Sequence, residues 1–218
     1  MASHMENNAY QAPATEEPSA QQGYTGQSLV LLFNALTFGS FCLVWALDLA
    51  LVTWGLTTET PAPEWLSYLV DQTSDWTGIG FYACALSFVI FAYRASRNAR
   101  ALGIELRHSA GATIFWFLVP LANLFMPYQV MKELWSASSK QHSSGNYLPR
   151  WWLTYLVYRV AGGFSSAFLR DSSDSAEWRD LAMLDLAMGI PAVISAALAF
   201  LLLYDIHRRQ NDLAASQV

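Results

Sequence analysis

The chain has 218 residues, of which 54% are hydrophobic and only 13% charged, with a formal net charge of -5. Soluble domains carry roughly a quarter charged residues, so this balance excludes an ordinary soluble fold, and the acidic sign argues against a nucleic-acid partner, which would need a basic footprint. The apolar residues gather into blocks of about 20, the length that crosses a roughly 30 Å hydrocarbon core.

Residues 1–4 read as the remainder of an expression tag, so His4 is set aside. Residues 5–26 are rich in Gln, Glu and Pro and poor in apolar side chains. Such a segment cannot offset its ordering entropy, so a disordered cytoplasmic tail is expected. A membrane domain follows over 27–208, with a C-terminal tail over 209–218.

Block one runs from Ser28 to about Leu56 and holds one charge, Asp48, between Trp45 and Trp54. The next loop carries Glu59, Glu64, Asp71 and Asp75 without a Lys or Arg. Within it Trp65, Leu66, Leu69 and Val70 recur at helical spacing, as in a short helix on a membrane surface. Block two, about Thr77 to Tyr93, continues into RASRNARALGIELRH. Arg94, Arg97 and Arg100 share a helix face there, with Arg107 nearby, and suit the anionic headgroups of an inner leaflet.

Block three, about Gly111 to Met131, is apolar yet holds Pro120, Asn123 and Pro127. Each proline removes a backbone hydrogen bond and clashes with the preceding turn, so the helix is expected to break. Freed backbone groups are tolerated at membrane depth only where protein or water satisfies them. The following YQVMKELW sets Tyr128, Met131, Leu134 and Trp135 on one face, as in an amphipathic helix on the cytoplasmic surface. Block four begins at the interface-type pair Trp151–Trp152, runs to Leu169 and carries Arg159. Block five spans Leu181 to Tyr204, with Asp185 and Pro191, and is followed by His207, Arg208 and Arg209.

Short cytoplasmic loops carry excess Lys and Arg. The basic loop after block two therefore goes inside and the acidic loop before it outside. A block three that enters and returns on the cytoplasmic side also places Lys132–Arg150 and His207–Arg209 inside. The expected fold is an all-α bundle of four transmembrane helices plus one kinked re-entrant or interfacial helix, with five crossings as the alternative. Four crossings put Asp48 and Asp185 in the outer part of the bilayer with Arg159 near its middle. An unpaired charge there costs roughly 2.5–3.5 kcal/mol on insertion scales, so a buried Asp48/Arg159/Asp185 cluster is expected.

Chemical motifs are sparse. Cys42 and Cys84 form no CxxC pair and read as buried thiols. The GGFSSAF run lacks a His at its depth and reads as small residues for close helix packing. HExxH, P-loop, dinucleotide-binding and metal-ligand spacings do not occur, so no cofactor or metal is expected.

The run WFLVPLANLFMPYQVMKELWSAS (116–138), preceded by RASRNARALG (94–103), resembles the bacterial membrane proteins grouped as domain of unknown function 4328. Trp116, Pro120, Asn123, Pro127, Leu134 and Trp135 correspond to that family's signature, and the resemblance covers roughly residues 30–205. It implies a multi-pass membrane fold without an established activity. The expectation is a non-enzymatic protein of a bacterial inner membrane, N-terminus inside, that engages lipids, a protein partner or a second copy of itself. The alternative is a small channel or transporter with a polar site formed by 115–131 and the Asp48/Arg159/Asp185 cluster.

Overall fold

A computed structural model describes residues 23–58, 62–74, 76–119, 121–138, 147–171 and 178–217. The helices are α1 (Ser28–Thr57), α2 (Glu64–Ser74), α3 (Trp76–Ala101), α4 (Ala110–Leu118), α5 (Met126–Ala137), α6 (Tyr147–Asp171) and α7 (Trp178–Ala215), with a 3-10 turn at Ala122–Leu124.

The four long helices form an antiparallel bundle. In α1 the buried residues Asn34, Phe38, Phe41 and Trp45 recur every three or four positions and make one stripe. The opposite side is also apolar, with Leu29, Leu32, Leu36 and Leu43 exposed. A water-facing helix would be polar on that side. On α3 the fully buried Ala92, Ala95 and Ala99 let neighbouring backbones approach. Asn34 meets Ser87, and Thr25 meets Asn98, so α1 and α3 run in opposite directions. Gly189 lies against Trp45 while Gln27 bonds Gln210, so α7 also opposes α1. Tyr158 of α6 touches Trp45, and Trp151 stacks on Phe88, which sets α6 parallel to α1.

Among the described residues three helices are long and apolar enough to cross a membrane: Ser28–Thr57, Thr77–Ala101 and Leu186–Ala215. The sequence reading expected four crossings, or five, and three of those segments meet both criteria. The expected fourth, α6, has 25 residues, about 37 Å at 1.5 Å per residue, and is long enough. Its hydropathy is diluted by Arg150, Arg159 and the amphipathic rings of Trp151, Trp152, Tyr155 and Tyr158. The expected fifth is divided between α4, with nine residues, and α5, with twelve, each too short alone.

Local chemistry explains that division. α3 ends in a Schellman motif: Gly103 has φ +75, its N–H bonds Arg100 O, and Ile104 N–H bonds Ala99 O. Ser109 then caps α4 by accepting from Ala112 N–H. α4 stops at Val119, whose backbone is extended, as the residue before a proline prefers. Pro120 itself lies outside the described residues. After the 3-10 turn, Pro127 sits in the first turn of α5, where its missing N–H costs nothing.

The two short helices form a hairpin inside one half of the bundle. Thr113 bonds Ser96 near the end of α3, and Phe117 reaches Phe88, about two turns deeper. The chain returns through Tyr128, against Trp152, to Ser138, which bonds Gln210. Both ends of the hairpin thus lie at the end of the bundle that carries Gln27, Asn98 and Gln210.

Two boundaries differ from the sequence reading. Residues Gly23 to Gly26, expected in the tail, pack on the bundle, and α7 continues to Ala215, past residue 208. Residues 5–22 lie outside the described residues. The stripe expected on α5 is also rotated: Pro127, Val130, Met131 and Leu134 are buried, with Tyr128 and Trp135 half-buried. α5 buries this face against its neighbours in the bundle.

Candidate functional site

The hairpin joins two features, a polar fastening at its base and an apolar cavity at its tip. The fastening begins with Gln27 and Gln210, both fully buried. Gln27 Nε2 donates to Gln210 Oε1 at 2.9 Å, and Gln210 Nε2 donates to Ala95 O at 3.0 Å and toward Ser138 Oγ at 3.4 Å. One glutamine amide thereby ties α1, α3, α5 and α7 together. Asn98 pairs both ways with the backbone of Thr25, accepting its N–H at 3.2 Å and donating to its carbonyl at 2.8 Å. Tyr24 donates its hydroxyl to Asn211 Oδ1, and burial pushes this phenol above its usual value near 10. Asn211 Nδ2 in turn donates to His207 Nε2 at 3.0 Å, which places the imidazole proton on Nδ1. That buried nitrogen has no hydrogen-bond partner among the described residues.

Acidic side chains hold both flanks of the hairpin. Glu133 takes His108 Nδ1 at 2.6 Å and the backbone N–H of Arg107. Asp205 of α7 accepts from Trp135 Nε1 at 2.8 Å and from Arg209 at 2.7 Å. The Arg209 guanidinium also lies 4.7 Å from the centre of the Trp135 ring, so ring, cation and carboxylate form one closed group.

The cavity lies deeper, has a volume of about 110 Å³, and is lined by residues of α1, α3, α4, α5, α6, α7 and the 3-10 turn. Aromatic side chains dominate it: Phe38, Phe41, Phe81, Phe88, Phe117, Trp151, Trp152, Tyr155 and Tyr158. Asn123 and Pro127 contribute from the hairpin. Past the cavity, the tip residues Leu121, Leu124 and Phe125 are exposed.

The residues singled out from sequence separate into three sets. Trp116, Pro127, Leu134, Trp135 and Asn123 all belong to the hairpin and its packing. Trp116 is half-buried against the core, and its buried indole nitrogen finds no partner among the described residues. The Asp48/Arg159 contact is not formed. The Arg159 guanidinium sits 5.5 Å from the centre of the Phe81 ring, and the ion pairs among the described residues include neither Arg159 nor Asp48. The Asp185 side chain lies outside the described residues. In the basic stripe Arg94 donates to Gly26 O at 2.9 Å and Arg100 donates to His108 O, so two of the four arginines fasten neighbouring backbone. Arg97 and Arg107 are exposed.

Sequence reasoning missed the buried amides. Asn34 donates to Val30 O and Ser87 O, while Ser87 Oγ donates to Asn34 Oδ1 at 3.0 Å. The available signal was register: Asn34 lies on the stripe of Phe38 and Phe41, and Gln210 lies one turn beyond Ile206. Among the described residues no group of three His, Cys, Asp or Glu could hold a metal ion.

These features define a helical membrane protein with a helix-break-helix hairpin packed among its long helices. The sequence model of the family described as domain of unknown function (DUF4328) matches residues 59–208, and the chain belongs to that family. The match begins after α1, later than the resemblance read from residue 30. No curated protein and no solved structure matches the chain.

Proposed function

We propose that this protein is a non-enzymatic module of a bacterial inner membrane whose working part is the α4–α5 hairpin and whose partners are membrane lipids. In this reading α1, α3, α6 and α7 cross the bilayer, both termini are cytoplasmic, and the hairpin enters from the cytoplasmic side and returns. The observation that carries it is the hairpin's polarity. Its base is fastened by Glu133, Asp205 and Gln210, while its tip exposes Leu121, Leu124 and Phe125. Such a tip is costly in water and favourable in hydrocarbon. α6 fits a crossing despite Arg159 because the guanidinium rests on the Phe81 ring and its stem is long enough to reach toward the interface. The exposed Arg97 and Arg107 suit anionic headgroups on the cytoplasmic side.

Phe125→Asp tests this. A charge placed at depth in hydrocarbon costs roughly 2.5–3.5 kcal/mol, whereas on a wet surface substitutions stay within about 0.5 kcal/mol. The variant is expected to insert poorly or unfold early in lipid bilayers. Wild-type behaviour in bilayers would refute a tip immersed in lipid. The transport reading retains Asn123 at the cavity wall, and solute flux through wild-type proteoliposomes that Asn123→Leu abolishes would favour it.

A further inference from the structure

We infer that the cavity beneath the hairpin is a binding site for the terminal part of a membrane lipid's acyl chain, admitted sideways from the bilayer at Ala85. The inference rests on the reading of the hairpin as lipid-immersed and adds the ligand and its route.

Three observations carry it. The first is where the cavity reaches the surface. Ala85 is both a lining residue and exposed, and it lies inside the candidate span Thr77–Ala101. Its neighbours on that helix, Tyr82 and Leu86, are 73% and 60% exposed, so the mouth opens on the outward apolar side of the bundle. An opening at that depth faces hydrocarbon, and hydrocarbon is what can enter.

The second is size. An apolar cavity of about 150 Å³ stays dry and accepts a benzene-sized guest. A volume of about 110 Å³ therefore suits a few carbons of chain and excludes a lipid headgroup or a hydrated solute.

The third is lining chemistry. Phe, Trp and Tyr rings make the wall, with Asn123 and Ser195 the polar side chains among them besides the tyrosines. Polar side chains are few on this wall, so a hydrocarbon guest fits it. A chain end is such a guest, and the aromatic faces can pack on it from several directions.

The test uses the full chain in vesicles of phosphatidylethanolamine and phosphatidylglycerol. A small fraction of the phosphatidylethanolamine carries a photoactivatable diazirine on the last carbon of one acyl chain. Mass spectrometry should find adducts on cavity residues of α6, at Trp151, Trp152 or Tyr155, as well as on the outward Leu36 and Leu43. Ala85→Trp, a change at an exposed position, should remove the α6 adducts and leave those on Leu36 and Leu43, which report an intact bundle. Adducts on Leu36, Leu43 and the tip Phe125 without any in the cavity would overturn the inference while the immersed hairpin stood. Absence of adducts at Phe125 as well would overturn both. Persistence of the α6 adducts in Ala85→Trp would refute the lateral route. Labelling of the cavity by a free diazirine-bearing benzene but not by the lipid would show a site for small apolar molecules only, and would equally refute it.

Discussion

Trp135→Phe isolates the contact that fastens α5 to α7. The substitution keeps an aromatic ring at the same place and removes the indole N–H that donates to Asp205 at 2.8 Å. Hydrogen bonds to a charged group contribute about 1.5–3 kcal/mol. The lower end applies here, because the Asp205 side chain is 27% exposed and keeps Arg209 at 2.7 Å. Phe also holds a cation less well than Trp, and the Arg209 contact at 4.7 Å loses a few tenths from a total of about 0.5–1 kcal/mol. The expected destabilisation is about 2 kcal/mol. Reversible unfolding in lipid–detergent bicelles measures it. The decisive comparison adds Asp205→Ala and the double variant. If Trp135 acts through Asp205, the double variant costs about 1.5 kcal/mol less than the two single losses combined. Additivity within about 0.3 kcal/mol would refute the argument, because the two residues would then be energetically separate.

Three further outcomes follow from the packing. Gly189→Ala should destabilise the α1–α7 contact by about 1–3 kcal/mol, since the added carbon would lie 2.7 Å from the Trp45 ring and 2.8 Å from Leu49 Cδ2, as thermal unfolding in micelles would register. Asn34→Leu combined with Ser87→Ala should show a coupling of about 0.6–1.7 kcal/mol by double-mutant cycle, the range found for interhelical hydrogen bonds in membranes. Arg159→Leu with Asp48→Asn should leave no coupling between the two positions in the same assay, because the guanidinium lies over Phe81 and not on the carboxylate.

The sequence made the hairpin legible because prolines act through local geometry. Pro120 forces Val119 into extended backbone and Pro127 suits a first turn, so the break and restart of the helix need no tertiary information. The apolar blocks were legible for the same reason, as length and hydropathy are properties of a segment alone. The charged cluster was not. Asp48 and Arg159 looked complementary because a charge in hydrocarbon needs a partner, but an aromatic face can serve a guanidinium, and which neighbour faces it depends on helix rotation. α6 shows the opposite difficulty: its rings lower its hydropathy yet build the cavity wall, so composition alone undervalues it as part of the bundle. The hydrogen bonds of Gln27, Asn98 and Gln210 exist only once α1, α3 and α7 are brought together. The cavity itself belongs to no segment, since residues from Phe38 to Ala199 meet there only after folding.

The most direct test of the account is the side of the membrane on which the hairpin's flanks emerge. With Cys42 and Cys84 replaced by Ala, single cysteines are introduced at Glu105, Ser139 and Ser173 and treated with a membrane-impermeant thiol reagent in intact and in opened cells. The account predicts that Glu105→Cys and Ser139→Cys react only after the cells are opened, whereas Ser173→Cys reacts from outside. Reaction of Ser139→Cys from outside, with Glu105→Cys still protected, would mean that the segment between them crosses the bilayer, and would contradict the re-entrant hairpin.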